Sequence, residues 1–456
     1  MKKIINNIIV AGLMISTSSC SFTDLEPTDK IGENEIFSSV STLEQVLTGT
    51  YSRMSLRKTI SVSAVLSDDV YKGGQNGGAG DDSYQWTYSA ATGDHNMLWS
   101  SYYSVISMAN RVIRGAEGVK ANNANESKLK DNCVGSALFI RAYTYFDLLR
   151  FFSDFDNKES YGIPYSKSPV ILQTLGRNSV SECFFEIEND LSTAIPLLTQ
   201  ATPNSPGYAS QTAAKALLAR VYLYEKNYEM AYKYASEVLT QMPIASIDEY
   251  PSIWDDSRNT EVIFELKRLA NEEAIGTVFF SADNSSSFEP STELINSYPT
   301  TDIRLQLFIG DGVDRDGVNV KRVNKYKGTS ANVGLVNQKL LRSSEMLLIM
   351  AEAKAQTKLS EGNTLLNQLR ASRINGWVNQ TYSTKEELLN EILLERRREL
   401  CYEGHRFFDM RRFDLPIYKP MINKTLDIND HHRIQPIPQS EMQGNLVIAE
   451  QQNSGY

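Results

Sequence analysis

Residues able to bind or transform a ligand gather in two stretches of this chain. Between residues 67 and 97, Asp68, Asp69, Tyr71, Tyr84, Trp86, Tyr88 and His95 flank a glycine-rich loop, Gly73 to Gly80. Flat rings pack against the apolar C–H face of a sugar, and Asp68, Asp69 or Asp81 would accept hydrogen bonds from its hydroxyls. Trp86 stands among polar residues after the glycine run, so an exposed ring is expected there. Trp99, Tyr102 and Tyr103 instead fit the core of the helix that follows. Between residues 262 and 335, Phe279 and Phe280, with Phe288 and Tyr298, would wall the other side of the same site. Each contact is worth on the order of 1 kcal/mol net, so weak binding, micromolar to millimolar, is expected.

Catalysis finds less support. Asp68 and Asp69 are the obvious acid pair for glycoside cleavage, but adjacent residues usually point apart, and no enzyme is expected. Glu395 to Arg412 is the densest charge cluster, with His405 one helical turn from Asp409. No Ser or Cys nucleophile motif accompanies that pair. Acids and arginines alternating at this density predict a structural ion-pair network, with Arg forks bridging carboxylates between helices. Asp311 to Gly317 invites a calcium-loop reading and fails it. Placing Gly317 at the sharp turn leaves Gly312 at the first ligand position and Val323 where the bidentate acid belongs. A hairpin with Asp-Gly at its apex is expected instead. No phosphate loop, dinucleotide fingerprint or metalloprotease motif is present, so neither cofactor nor metal is expected.

Helices must position these residues. Ser41 with Glu44, Ser179 with Glu182, and Thr384 with Glu387 fit capping boxes ahead of apolar runs at helical spacing. Residues 136–152 are apolar almost all round, which predicts a helix enclosed by others. Leu218-Ala219, Tyr222, Ala231, Ala235 and Pro243 reproduce tetratricopeptide spacing within 212–243, with Lys215 in place of the leading Trp. Arg342 to Gln356 followed by Gly362 to Arg373 suggests a second helix pair, with degenerate copies near 98–152 and 179–200. The expected fold is a mostly α tetratricopeptide-type scaffold, with irregular loops and short β insertions at 67–97 and 262–335.

With 456 residues, 41% apolar and 22% charged, the chain is ordinary globular material. Its net charge of −9 argues against nucleic acid as partner. Cys133, Cys183 and Cys401 have neither disulfide nor metal spacing and read as core thiols. Lys2 and Lys3, the apolar run Ile8 to Ile15 and Ser18-Ser19-Cys20 read as an export signal, too short to span a membrane. Cysteine after small residues is where a bacterial lipoprotein is cut and acylated, although Thr17 replaces the usual leucine. Residues 1–19 are thus expected to be a signal peptide and 20–35 a tether lipidated at Cys20. One continuous body is expected after it, with a helical region, 36–240, followed by a C-terminal region, 241–456.

Several segments carry a family resemblance, in the family's order. Trp99, Tyr103, Ile106, Ala109 and Asn110 resemble its W-x3-Y-x2-I-x2-A-N signature. Arg141 to Phe146 and Ala213 to Arg220 resemble two further helices, and Arg342 to Ala353 a third. Glu403-Gly404-His405-Arg406, with Asp409 and Arg411-Arg412, matches the diagnostic C-terminal motif, and the chain closes on Ile437-Pro438. The chain resembles the SusD/RagB family along nearly its whole length. That resemblance implies a surface-displayed outer-membrane lipoprotein that captures extracellular glycans and passes them, unaltered, to a TonB-dependent transporter. The alternative is a tetratricopeptide-type lipoprotein that captures peptides.

Overall fold

The computed structural model describes residues 36–456 except Gln75, 170–173, 200–205, Asn271, Ala282 and Asn284. The expectations for residues 1–35, Cys20 included, fall outside the described residues.

The chain is mostly helical. Its long helices begin with α1 (Val40–Arg53), α2 (Arg57–Leu66), α3 (His95–Gly118), α4 (Ala124–Phe152) and α5 (Val180–Leu197). Two pairs follow, α6 (Gln211–Tyr224) with α7 (Tyr228–Gln241) and α8 (Ser343–Thr357) with α9 (Leu359–Ala371). The series ends with α10 (Lys385–Leu400) and α11 (Arg406–Arg412).

Helix α4 is the central post. Asn123 caps its start, accepting from the Asn125 and Glu126 amides at 3.0 Å each. From Gly135 to Phe152 every residue is buried, with α3 and α5 packed alongside. The capping boxes at Ser179–Glu182 and Thr384–Glu387 form as expected. Helix α1 differs, because Ser39 and Thr42 form its box and Ser41 lies inside the helix. Ser39 holds the extended backbone (φ −151°) that a cap residue needs to turn its hydroxyl toward the first free amides.

Small residues draw α6 and α7 together, with Ala213, Ala216 and Ala219 of one and Ala231 and Ala235 of the other fully buried. Tyr222 stacks on Tyr234, centroids 5.8 Å apart and planes within 8°. Helix α8 is enclosed by α7, α9 and α10. A large apolar core runs from Leu43 to Ile448, and a smaller one joins Leu347, Leu348, Leu366, Leu369, Leu388 and Ile392. Cys133, Cys183 and Cys401 are buried free thiols. Among the described residues, no helix is long and apolar enough to cross a membrane.

The Glu395–Arg412 segment forms the expected ion-pair network, inside the protein. Glu399 accepts from Arg304 at 2.9 Å, Arg342 at 2.8 Å, Arg373 at 3.1 Å and the Tyr250 hydroxyl at 2.9 Å. Glu403 takes Arg342 at 2.7 Å and Lys325 at 2.6 Å, while Asp409 takes Arg396 and Arg412, each at 2.9 Å. Burial alone would push the Glu399 carboxyl up, but Arg373, Arg342 and Arg304 outweigh it and hold it well below the usual range. His405 is kept neutral by burial and by the surrounding arginines, and the Asp409 carboxylate is taken by Arg396 and Arg412.

The short strands carry the insertions. β1 (Val70–Lys72) pairs antiparallel with β4 (Phe288–Pro290), and β2 (Val262–Leu266) with β7 (Gln338–Arg342). β3 (Ser285–Ser286) lies parallel to β5 (Ile309–Asp314), which forms a hairpin with β6 (Asn319–Val323). β8 (Ile417–Lys419) and β9 (Lys424–Leu426) form another. At the β5–β6 turn, Asp316-Gly317 sits at the apex, with Gly317 at φ +79°. One Asp314 carboxylate oxygen accepts from the Asp316 and Val318 amides at 2.9 Å each, so this acid stabilises a turn.

Candidate ligand-binding site

The two insertions meet, as expected of two sides of one unit. Val70, Tyr71 and Lys72 pair with Pro290, Glu289 and Phe288, and the Gly73 amide donates to the Ser287 carbonyl at 3.0 Å. Gly74 packs so closely on Asp314 that a Cβ would stand 2.9 Å from its carboxylate, while Gly77, Gly78 and Gly80 take the positive φ that favours glycine.

The aromatic side chains expected at this junction mostly turn inward. Trp86 is only 6% exposed, against the expectation of an exposed ring. It closes the short helix Asp81–Gln85 in a left-handed conformation (φ 53°), and that turn aims the indole into the body. There its N–H donates to the Leu66 carbonyl at 3.1 Å, and the Lys419 ammonium lies 4.3 Å from its ring. Polar neighbours in sequence say nothing about the direction of a side chain at a turn. Tyr84 packs against the same ammonium. Phe279 and Phe280 are fully buried, Phe279 stacked on Tyr326 at 6.1 Å and Phe280 beneath Arg322. Tyr71 stays half-buried, its hydroxyl bonded to Glu293 and pushed up to about 12 by burial and by that carboxylate.

Asp68 and Asp69 act as ties. Asp68 takes both arms of Arg406 at 2.8 Å, and Asp69 accepts from Arg397 at 2.9 Å. Burial opposes ionisation of Asp68, but Arg406 and Arg397 outweigh it and hold it well below the carboxylate range. Their oxygens join the early loop to α10 and α11.

Tyr88 and His95 lead to a different place. The Tyr88 hydroxyl donates to the His432 carbonyl and accepts from Gln435 at 2.7 Å, and its ring meets His432 edge-on at 5.0 Å. His95 lies behind it, ring centroids 6.2 Å apart, and burial lowers its pKa to about 4. His431 packs on His432, centroids 3.9 Å apart, and lines a cleft of about 780 Å³ bordered by residues 154–161, 411–414, 428–434 and 452–454.

The cleft is polar. Asp154, Asp156, Asp414 and Asp430 line it with Asn157, Asn429 and Asn453, as do the rings of Tyr161 and His431. Its two arginines are occupied. Arg411 donates to the Ser153 carbonyl at 2.7 Å, and Arg433 to the Leu415 and Met410 carbonyls at 2.8 and 3.0 Å. Burial brings Arg411 down to about 10, opposed by Asp154. Asp156 pairs with Lys226 at 2.7 Å. Sequence reasoning missed this set, apart from Tyr88 and His95 behind it. The one signal available was His431-His432 after Asp430, half of the four histidines in the chain. A second void, about 130 Å³, lies near Met54, Val105 and Asp147.

This architecture recurs in solved structures. A SusD superfamily protein from Bacteroides thetaiotaomicron VPI-5482 superposes with a TM-score of 0.78 at 25% identity, covering 91% of this chain and 99% of that one. A SusD-like carbohydrate binding protein from Bacteroides vulgatus ATCC 8482 gives 0.76 at 19% identity, over 91% and 98%. A SusD-like protein from Bacteroides ovatus is 25% identical across 90% of this chain and 82% of its own length. The family profile described as starch-binding associating with outer membrane matches residues 21–223, and the SusD family profile matches 306–456. With fold, motif order and both profiles in agreement, the chain belongs to the SusD/RagB family.

Proposed function

We propose that the protein captures extracellular oligosaccharide in the cleft between Tyr161 and His431. It would then deliver the ligand, unaltered, to a TonB-dependent outer-membrane transporter, displayed at the surface on a lipid at Cys20. The observation that carries this reading is the open polar cleft of about 780 Å³, lined by carboxylate and amide groups and by the rings of Tyr161 and His431. A sugar offers many hydroxyls and an apolar face, and both sets of groups suit it. One matched profile is described as starch-binding, and one structural neighbour is named as carbohydrate binding. Four carboxylates, Asp154, Asp156, Asp414 and Asp430, line the cleft against two guanidiniums, Arg411 and Arg433, so its charge is net acidic, which favours neutral sugars over uronates or sulfates.

The test is calorimetric titration of the chain from Ser21 onward with neutral and anionic oligosaccharides and with peptides. Saturable binding of a neutral saccharide, recovered intact by chromatography, is expected. Tyr161→Ala should weaken it several-fold, about 1 kcal/mol, with little change in thermal midpoint. Failure of every saccharide would overturn the reading, and binding of peptides alone would replace it with peptide capture. Release of cleaved product would overturn the non-enzymatic part.

A further inference from the structure

We infer that Asp430, His431 and His432 form a binding site for a divalent transition-metal cation that opens onto the cleft. Asp430, His431 and His432 are consecutive in sequence, without the spacing of a known metal-site pattern, and the fold turns their donor atoms toward one another. His432 Nδ1 lies 2.8 Å, and His431 Nδ1 3.6 Å, from the same Asp430 carboxylate oxygen. With metal–ligand bonds of about 2.0–2.2 Å, the edge between two ligands of a tetrahedral site is ~3.3 Å. The two observed spacings straddle that edge, so a cation entering among the donors displaces the proton shared by His432 Nδ1 and Asp430 and needs only small side-chain rotations. Donor atoms from all three residues lie within 4.8 Å of one another.

The rings are held in this arrangement from behind. His431 and His432 pack with centroids 3.9 Å apart, His432 edge-on to Tyr88 at 5.0 Å and His431 to Tyr456 at 4.7 Å. Gly455 backs directly onto His431. A Cβ there would stand 2.5 Å from the ring, and its φ of +98° itself favours glycine. The Asp430 carboxylate is also placed, because it caps the 3₁₀ turn His431–Arg433 by accepting from the His432 amide at 2.8 Å. Such fixed orientation of ligands is what raises metal affinity.

Two imidazoles and one carboxylate favour Zn²⁺, Ni²⁺, Co²⁺ or Cu²⁺ over Ca²⁺ and Mg²⁺, which prefer all-oxygen shells. Side-chain exposures of 38% for His431 and 35% for Asp430 leave the fourth position to water, or to a molecule in the cleft.

The test uses tag-free, chelator-treated protein titrated with Zn²⁺ by calorimetry and with Co²⁺ by visible absorption. One equivalent should bind, with the intense d–d bands of a four-coordinate cobalt centre. Asp430→Asn retains the turn cap but lacks the anionic ligand, and it should weaken Zn²⁺ binding by about tenfold or more. His431→Phe keeps the ring packing and should do the same. Zn²⁺ should raise the thermal midpoint of the parent protein and of neither variant. Absence of saturable binding would overturn the proposal. So would equal affinity in Asp430→Asn or His431→Phe, which would mark the ion as held elsewhere.

Discussion

Two regions of this molecule are rich in the same charged side chains and use them in opposite ways. Around Glu399 the carboxylates and guanidiniums are dry and paired, each Arg fork spanning two or three acids drawn from different elements. Around the cleft, Asp154 and Asp414 face solvent, while the local arginines are turned toward backbone carbonyls. The acids are alike; their pairing separates a scaffold from a surface that can meet a ligand. Density of charge along a sequence does not make that distinction.

The sharpest way to break the comparison is to remove one partner from the dry region. Glu399→Ala leaves Arg304, Arg342 and Arg373 buried together, and a loss of about 3–5 kcal/mol in urea unfolding is expected. A loss under about 1 kcal/mol, typical of an unremarkable site, would show that the network contributes little.

Trp86→Ala comes next. It removes a packed indole and its hydrogen bond to Leu66, and should cost about 3 kcal/mol of stability. Folded protein should bind cleft ligands normally, and a selective loss of binding would return Trp86 to the site.

Acid should act on the fold in two stages. Burial lowers His95 to about 4, and burial with nearby arginines lowers His405, so both stay neutral in the fold. The unfolded chain takes up these protons near pH ~6.5, so stability begins to slip as the pH falls below that value. Glu395, which burial would raise, is held at about 2 by Arg304 and Arg370, and Glu399 and Asp409 are lowered likewise. Their stabilisation is complete above the ordinary carboxylate pKa of ~4.3 and fades as the pH drops toward 2. Urea midpoints measured across this range should fall slowly and then steeply. A flat profile to about pH 3 would contradict the pairing.

The smallest effect belongs to the cleft. Asp414→Asn keeps a residue that tolerates the left-handed backbone there (φ 50°) and should change stability by less than about 0.5 kcal/mol. A neutral ligand should lose affinity only if Asp414 accepts one of its hydroxyls.

Much of the scaffold was legible in sequence because helix signals are local. Capping pairs such as Ser179–Glu182 lie three residues apart, and the alanines of α6 and α7 mark a close helix contact within one repeat. The network was legible as a network because arginine seldom stays buried unless paired. The early loop was not, since the direction of Trp86 depends on one left-handed residue and on Lys419, more than three hundred positions away in sequence. The cleft was invisible for the same reason. Its walls come from four separated stretches, one at 154–161 and three between 411 and 454, and nothing local says that they face one another.

The ties at Asp68 and Asp69 have a consequence for the order of assembly. Their partners, Arg397 and Arg406, lie in the last quarter of the chain, as do Lys419, which bonds the Val65 and Tyr84 carbonyls, and Gln439, which bonds that of Ala90. A chain made or threaded from its N-terminus therefore lacks these four anchors until the end emerges, and before then has the strand pairing of Val70–Lys72 with Phe288–Pro290. These long-range closures place the loop among the last parts to settle. A chain stopped before Arg397 would keep its first helix pairs and expose this segment to proteases, a built-in mark of incompleteness.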